Sequence, residues 1–101
     1  MKSTVSFQEL INSETPVVID FYADWCGPCH AFTPILQQLK SEVGDQVRIV
    51  KIDVDRNQEL ATQLQVQSIP TVMIFQHGQL KWRAMGVQSL PVLKQQLQAL
   101  A

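Results

Sequence analysis

The chain has 101 residues, 46% of them hydrophobic and 17% charged, with a formal net charge of -1. That is the length of one domain, too apolar for a disordered chain and too near neutral for a basic nucleic-acid binder. Two cysteines cannot build a disulfide-rich scaffold, no apolar run approaches the ~18 residues of a membrane span, and Met1 to Leu10 lack the pattern of a signal peptide. Residues 1–101 are therefore expected to form one cytoplasmic domain. Structural disulfides are rare in that compartment, so the cysteine pair needs another purpose.

The elements follow from the chain order. Ser6 and Glu9 have capping-box spacing, and Val5 and Leu10 fit a hydrophobic staple. A short helix is expected from Phe7 to Asn12. Pro16 to Ala23 reads Pro-Val-Val-Ile-Asp-Phe-Tyr-Ala, a run that suits a strand buried on both faces. From Cys29 to Val43 the period becomes helical, with Phe32, Ile35, Leu36, Leu39 and Val43 on one stripe. Gly44 suits its C-terminal cap, and Pro34 inside it is expected to kink it. Val47 to Val54 is expected as a second buried strand. Leu60, Ala61 and Leu64 mark a short helix capped by Asp55 or Asn57. Thr71 to Phe75 and Leu80 to Ala84 are strands joined by Gln76-His77-Gly78-Gln79, where glycine accepts the positive φ of a tight hairpin. Ser89 caps a last helix whose stripe is Leu90, Leu93, Leu97 and Leu100. Strands alternating with helices imply an α/β fold, a central sheet with parallel pairs and an antiparallel edge.

Trp25-Cys26-Gly27-Pro28-Cys29 stands where a strand passes into a helix, the context in which C-x-x-C reads as a redox motif. Helix positions three apart have Cβ atoms about 5–6 Å apart, so a modest adjustment permits a disulfide. Closing so short a loop contributes only about 2 kcal/mol, and breaking it disturbs the fold little. Cys26 precedes the helix, beside unpaired N–H groups and the positive dipole end that favour a thiolate. Pro28 is tolerated in the first turn, where its missing N–H leaves nothing unpaired. Cys29 shares the inward stripe of Phe32 and Leu36. The pattern makes Cys26 an exposed nucleophile and Cys29 a buried resolving thiol. A structural zinc site usually takes four ligands, and only His30 and His77 remain to complete one. His30 points about 100° away from Cys29 on a helix and His77 lies in the hairpin turn, so no metal is expected.

Asp20 is the one charged residue from Val17 to Ala23. Burial raises a carboxyl's pKa, which makes Asp20 a candidate proton acceptor for Cys29; a solvated strand edge is the plainer alternative. Lys51, on the next strand, is placed to lie near Asp20 or to reach solvent. Ile69-Pro70 precedes a strand, and nothing in the spacing alone makes that bond cis. Trp25 is expected over the cysteines, and Trp82 over an edge strand or under the last helix.

Trp25-Cys26-Gly27-Pro28-Cys29, with Asp20-Phe21 upstream and Ile69-Pro70-Thr71 downstream, resembles the thioredoxin family. The likeness continues through Phe75-Gln76-His77-Gly78 and Met85-Gly86 and spans about Phe7 to Leu100. It implies a thioredoxin-like fold, a mixed four- to five-stranded sheet flanked by helices, with the first strand short or absent. It implies a thiol–disulfide oxidoreductase that reduces protein disulfides, with Cys26 as nucleophile, Cys29 as resolving thiol, Asp20 in proton transfer and Lys51 as its neighbour. Trp25, Gly27 and Pro28 form the active-site loop. Ile69-Pro70 becomes a cis bond, and Trp25, Ile69, Pro70 and Gly86 a substrate surface. The implied partners are disulfide-containing proteins and an NADPH-dependent flavoprotein, thioredoxin reductase. The chain itself is expected to need no cofactor, to bind no nucleic acid or membrane, and to act as a monomer. Three residues depart from the family pattern. Tyr22 stands where tryptophan is frequent. His30 stands where lysine or arginine is common and adds pH dependence near Cys26. Asp24 opposes thiolate formation if it is close. A docking subunit of the same fold, with its redox chemistry little used, is the alternative. The intact Cys-Gly-Pro-Cys and Asp20 argue against it.

Overall fold

The computed structural model describes residues 6–101. Val5 of the expected staple and the expected short first strand lie outside them. In chain order the elements are α1 (Phe7–Ile11), β1 (Val17–Tyr22), α2 (Gly27–Val43), a 3-10 turn (Gly44–Gln46), β2 (Arg48–Asp53), α3 (Gln58–Gln63), β3 (Thr71–Gln76), β4 (Gln79–Met85) and α4 (Leu90–Gln98). The strands form one sheet in the order β2-β1-β3-β4. β1 runs parallel to β2 and antiparallel to β3, and β3 runs antiparallel to β4.

Local signals set the ends of these elements. The Ser6 hydroxyl accepts from the Glu9 N–H at 3.1 Å and the Glu9 carboxylate accepts from the Ser6 N–H at 3.0 Å, completing the capping box. The Ser89 hydroxyl accepts from the Val92 N–H at 3.3 Å at the start of α4. Asn57 occupies the cap position of α3 but makes no side-chain cap bond. Its amide instead donates to the Asp53 carbonyl. The β3–β4 turn has His77 at φ 55° and Gly78 at φ 77°, the double positive φ of a tight two-residue hairpin. α2 begins at Gly27, two residues before its apolar stripe. It stays unbroken through Pro34, whose missing N–H leaves the His30 carbonyl without its intrahelical partner.

Alternation along β1 divides the core. Val18 packs with Phe32, Leu36, Leu39, Leu93 and Leu97 of α2 and α4. Val17, Ile19 and Phe21 pack on the other side with Ile11 of α1 and Leu60 of α3. Asp20 and Tyr22 therefore share the α2 side with Val18. β2 differs from expectation. It is an edge strand among the described residues, paired only with β1, and its side chains are half-buried or exposed. Strand order is non-local, and Ile49, Val50 and Ile52 suffice to cover one neighbour. Trp82 lies on β4 opposite Ile74 and packs against the α2–α4 core, together with Leu90.

Leu93 is fully buried between the sheet and α2, whereas Leu80 is 45% exposed on β4. Leu93→Ala should lower the unfolding free energy by about 2–5 kcal/mol. Leu80→Ala should change it by under about 0.5 kcal/mol. Urea denaturation read by circular dichroism checks this, and equal effects would contradict the assigned core.

Candidate active site

β1 ends at Tyr22, and the chain turns through Ala23, Asp24 and Trp25 into α2. Cys26 is the N-cap of that helix, with extended φ -91° and ψ 113°, and its Sγ accepts from the Cys29 N–H at 3.2 Å. One of the orphan donors of the helix start is thus satisfied by sulfur. Cys26 and Cys29 are joined as a disulfide with Cα atoms 5.3 Å apart. The expected contrast in exposure is absent: Cys26 is 4% and Cys29 3% exposed. The reason is tertiary. Ala23 and both sulfurs form one small cluster, covered by Tyr22, Val54 and Ile69. What separates the two cysteines is their position relative to the helix, Cys26 capping its end and Cys29 lying within its first turn.

Three distant segments complete the site. Ile69–Pro70 is a cis peptide bond, and the Ile69 carbonyl oxygen lies 3.8 Å from Cys26 Sγ. The Gly86 N–H donates to the Pro70 carbonyl at 2.7 Å. Gly86 has φ 87°, a conformation that disfavours any side chain. Trp25 is 71% exposed, and its indole N–H donates to Asp55 Oδ2 at 2.8 Å. This bond ties the active-site loop to the β2–α3 turn. The sequence offers Asp55 only as a cap of α3, a position that Asn57 takes, and not as a partner of Trp25.

Asp20 lies in β1 on the side facing α2. It is fully buried, and neither carboxylate oxygen has a hydrogen-bond partner. Burial pushes its pKa up to about 6, against a smaller downward pull from the Lys51 ammonium. Lys51 is Asp20's register partner on β2. Its Nζ lies 4.4 Å from the centre of the Tyr22 ring and donates to Thr33 Oγ1 at 3.5 Å. The Thr33 hydroxyl donates to the Cys29 carbonyl at 3.4 Å. The sequence pattern alone points to neither Tyr22 nor Thr33 as a partner of Lys51. The diagonal between Tyr22 and Lys51 becomes legible only once the strand register is known.

The remaining expected residues lie nearby or far off. His30 Nε2 donates to the Asp24 carbonyl at 2.7 Å, which places a proton on Nε2. The link spans the disulfide loop from outside, and both side chains are exposed. His77 is in the β3–β4 hairpin at the opposite end of the sheet. Among the described residues no three His, Cys, Asp or Glu side chains gather to hold a metal ion.

Comparison with known proteins agrees with this geometry. The Thioredoxin family model matches residues 1–99. A thioredoxin-like protein of Synechocystis sp. is 47% identical over 98 residues, covering 96% of this chain and 93% of that protein. A bifunctional thioredoxin reductase/thioredoxin of Mycobacterium leprae is 42% identical over 91 residues, covering 90% of this chain and 20% of that one. The crystal structure of oxidised mitochondrial thioredoxin 3 from Saccharomyces cerevisiae superposes with a TM-score of 0.82 at 35% identity, covering 92% of this chain and 86% of that one. The agreement runs through both the motif and the fold around it, and the chain belongs to the thioredoxin family of thiol–disulfide oxidoreductases.

Proposed function

We propose that the chain is a protein-disulfide reductase in which Cys26 attacks, Cys29 resolves and Asp20 takes the resolving proton. In the dithiol form the start of α2 favours a thiolate at Cys26. That thiolate attacks one sulfur of a substrate disulfide. A bond forms to Cys26, and the other substrate sulfur leaves as a thiolate. Asp20, ionised above about pH 6, accepts the Cys29 proton. Cys29 then attacks Cys26 Sγ, the intramolecular disulfide forms, and the second substrate thiolate leaves. Two electrons pass from the dithiol to the substrate.

The observation that carries this reading is the pairing of a helix-capping disulfide with a buried, unpartnered carboxyl on the strand that feeds it. A pure docking subunit needs neither. Trp25, Ile69, Pro70 and Gly86 form the surface that receives the substrate chain, and Lys51 moderates Asp20. The Mycobacterium leprae relative joins a thioredoxin reductase to a thioredoxin in one protein, which supports a flavoprotein reductase as the electron donor. The reading fits a monomeric single domain in a reducing compartment such as the cytoplasm. No described helix is long and apolar enough to cross a membrane.

Two experiments test the roles. Cys29→Ser should accumulate dithiothreitol-sensitive adducts with disulfide proteins, while Cys26→Ser should accumulate none. Adducts that persist without Cys26 would reverse the assignment. The second is a stability profile of the oxidised protein. The folded Asp20 acid lies above its unfolded value of about 4, so the native state binds the extra proton between about pH 4 and 6. Its contribution is complete below pH 4, falls as pH rises through 6 and is flat beyond. Asp20→Asn should remove this slope and unfold at higher urea at pH 7, by about 1–3 kcal/mol, with little difference at pH 4. A loss of stability at pH 7 would make Asp20 a structural residue.

A further inference from the structure

No protein group hydrogen-bonds either carboxylate oxygen of Asp20, so its nearest cation matters more than usual. That cation is itself held. Tyr22 lies two residues beyond Asp20 on the same side of β1, and Lys51 is opposite Asp20 on β2. The Lys51 ammonium rests 4.4 Å from the Tyr22 ring centre and also reaches the Thr33 hydroxyl at 3.5 Å. Lys51 is an exposed residue at a sheet edge, where a free lysine extends its ammonium into water. Here an aromatic face and a hydroxyl keep it against the sheet. Thr33 in turn donates to the Cys29 carbonyl, so the perch is fastened to the first turn of α2.

We infer that Tyr22 and Thr33 are positioning residues that hold the Lys51 ammonium beside Asp20 and so set the pH at which Asp20 becomes a proton acceptor. The inference rests on the proposed role of Asp20 in resolution. The charged groups around this cluster come from several elements. Lys51 faces Asp20 from β2, and Cys29, in the first turn of α2, does not titrate while in the disulfide. Asp53 at the end of β2, Asp24 in the β1–α2 turn and Arg56 beyond β2 act on the Tyr22 phenol, as does Asp20 itself. Burial first, then Asp53 and Asp24, push that phenol above its ordinary range. The ring therefore stays neutral at working pH and holds the ammonium by its face alone. Without the ring or the hydroxyl, the ammonium moves outward into water, where its pull on Asp20 is screened.

The test is a carbon-13 NMR titration of the Asp20 carboxyl in the oxidised full chain. Tyr22→Leu should raise its midpoint by about 0.5–1 pH unit, and Thr33→Val should move it the same way by less. Tyr22→Phe keeps the ring face and should leave the midpoint in place. In a Lys51→Met background, which raises the midpoint by itself, Tyr22→Leu should add nothing. An unmoved or lowered midpoint in Tyr22→Leu would overturn the inference, as would an equal shift with Lys51 absent. The underlying reading is tested separately through the pH profile of protein-disulfide reduction, whose acid limb should vanish in Asp20→Asn. Persistence of that limb would reject Asp20 as the proton acceptor while leaving the NMR result on Tyr22 and Thr33 intact.

Discussion

β1 has no side open to water. β2 pairs with one flank of its backbone and β3 with the other, while α2 and α4 cover one face and α1 and α3 the other. Much of the molecule follows from this confinement. The strand must be apolar almost throughout, and any polar side chain within it is buried by default. The parallel pairing with β2 requires a crossover helix, so β1 empties directly into the start of α2. That junction lies at the carboxyl end of a central strand, where open α/β sheets leave room for chemistry. The cysteine loop thus hangs from an element held on every side.

The same confinement explains why exposure does not distinguish the two sulfurs. A loop springing from a buried strand and covered by Val54 and Ile69 leaves both cysteines nearly inaccessible as a disulfide. Their difference is electrostatic. Cys26 stands at the end of α2, where N–H groups converge, and accepts one of them. Cys29 lies within the first turn, on the side of the helix that carries Phe32 and Leu36 into the core. Asp20 points toward α2 from below. In the proposed mechanism the end-of-helix field and the buried carboxyl thus serve different members of one pair.

Most of the local architecture was legible in the sequence because its causes are local. The capping box of Ser6 and Glu9, the Ser89 cap and the His77-Gly78 turn each depend on a few adjacent residues. β1 was legible because a strand buried on both faces needs an unbroken apolar run. β2 carries a similar run, yet it lies at an edge, since strand order depends on pairings made elsewhere in the chain. The start of α2 was legible from Pro28 and the cysteine motif rather than from periodicity, since Gly27 and Pro28 are exposed and leave no apolar period. The Trp25–Asp55 bond and the Lys51 perch join residues 30 and 29 positions apart in number, through side chains on separate elements. Composition carries no trace of such pairings. The cis bond at Ile69–Pro70 was implied only by the family likeness.

The missing partner of Asp20 joins stability to chemistry. A carboxylate with two or three N–H donors would stay ionised far into acid and would accept protons poorly. A carboxyl buried without any charge nearby would stay protonated past neutrality and accept none. Asp20 lies between these limits because burial raises it and a single cation, held at a distance by an aromatic ring, partly offsets the rise. Its charged form destabilises the strand that contains it, so the fold is least favourable in the state that the proposed proton transfer would use. β1 tolerates this because its other positions are packed on both faces, and the packing of Val18, Ile19 and Phe21 offsets one unpaired charge. A less confined strand would hydrate the carboxyl and return it to its ordinary range, away from the value that the proposed proton transfer needs.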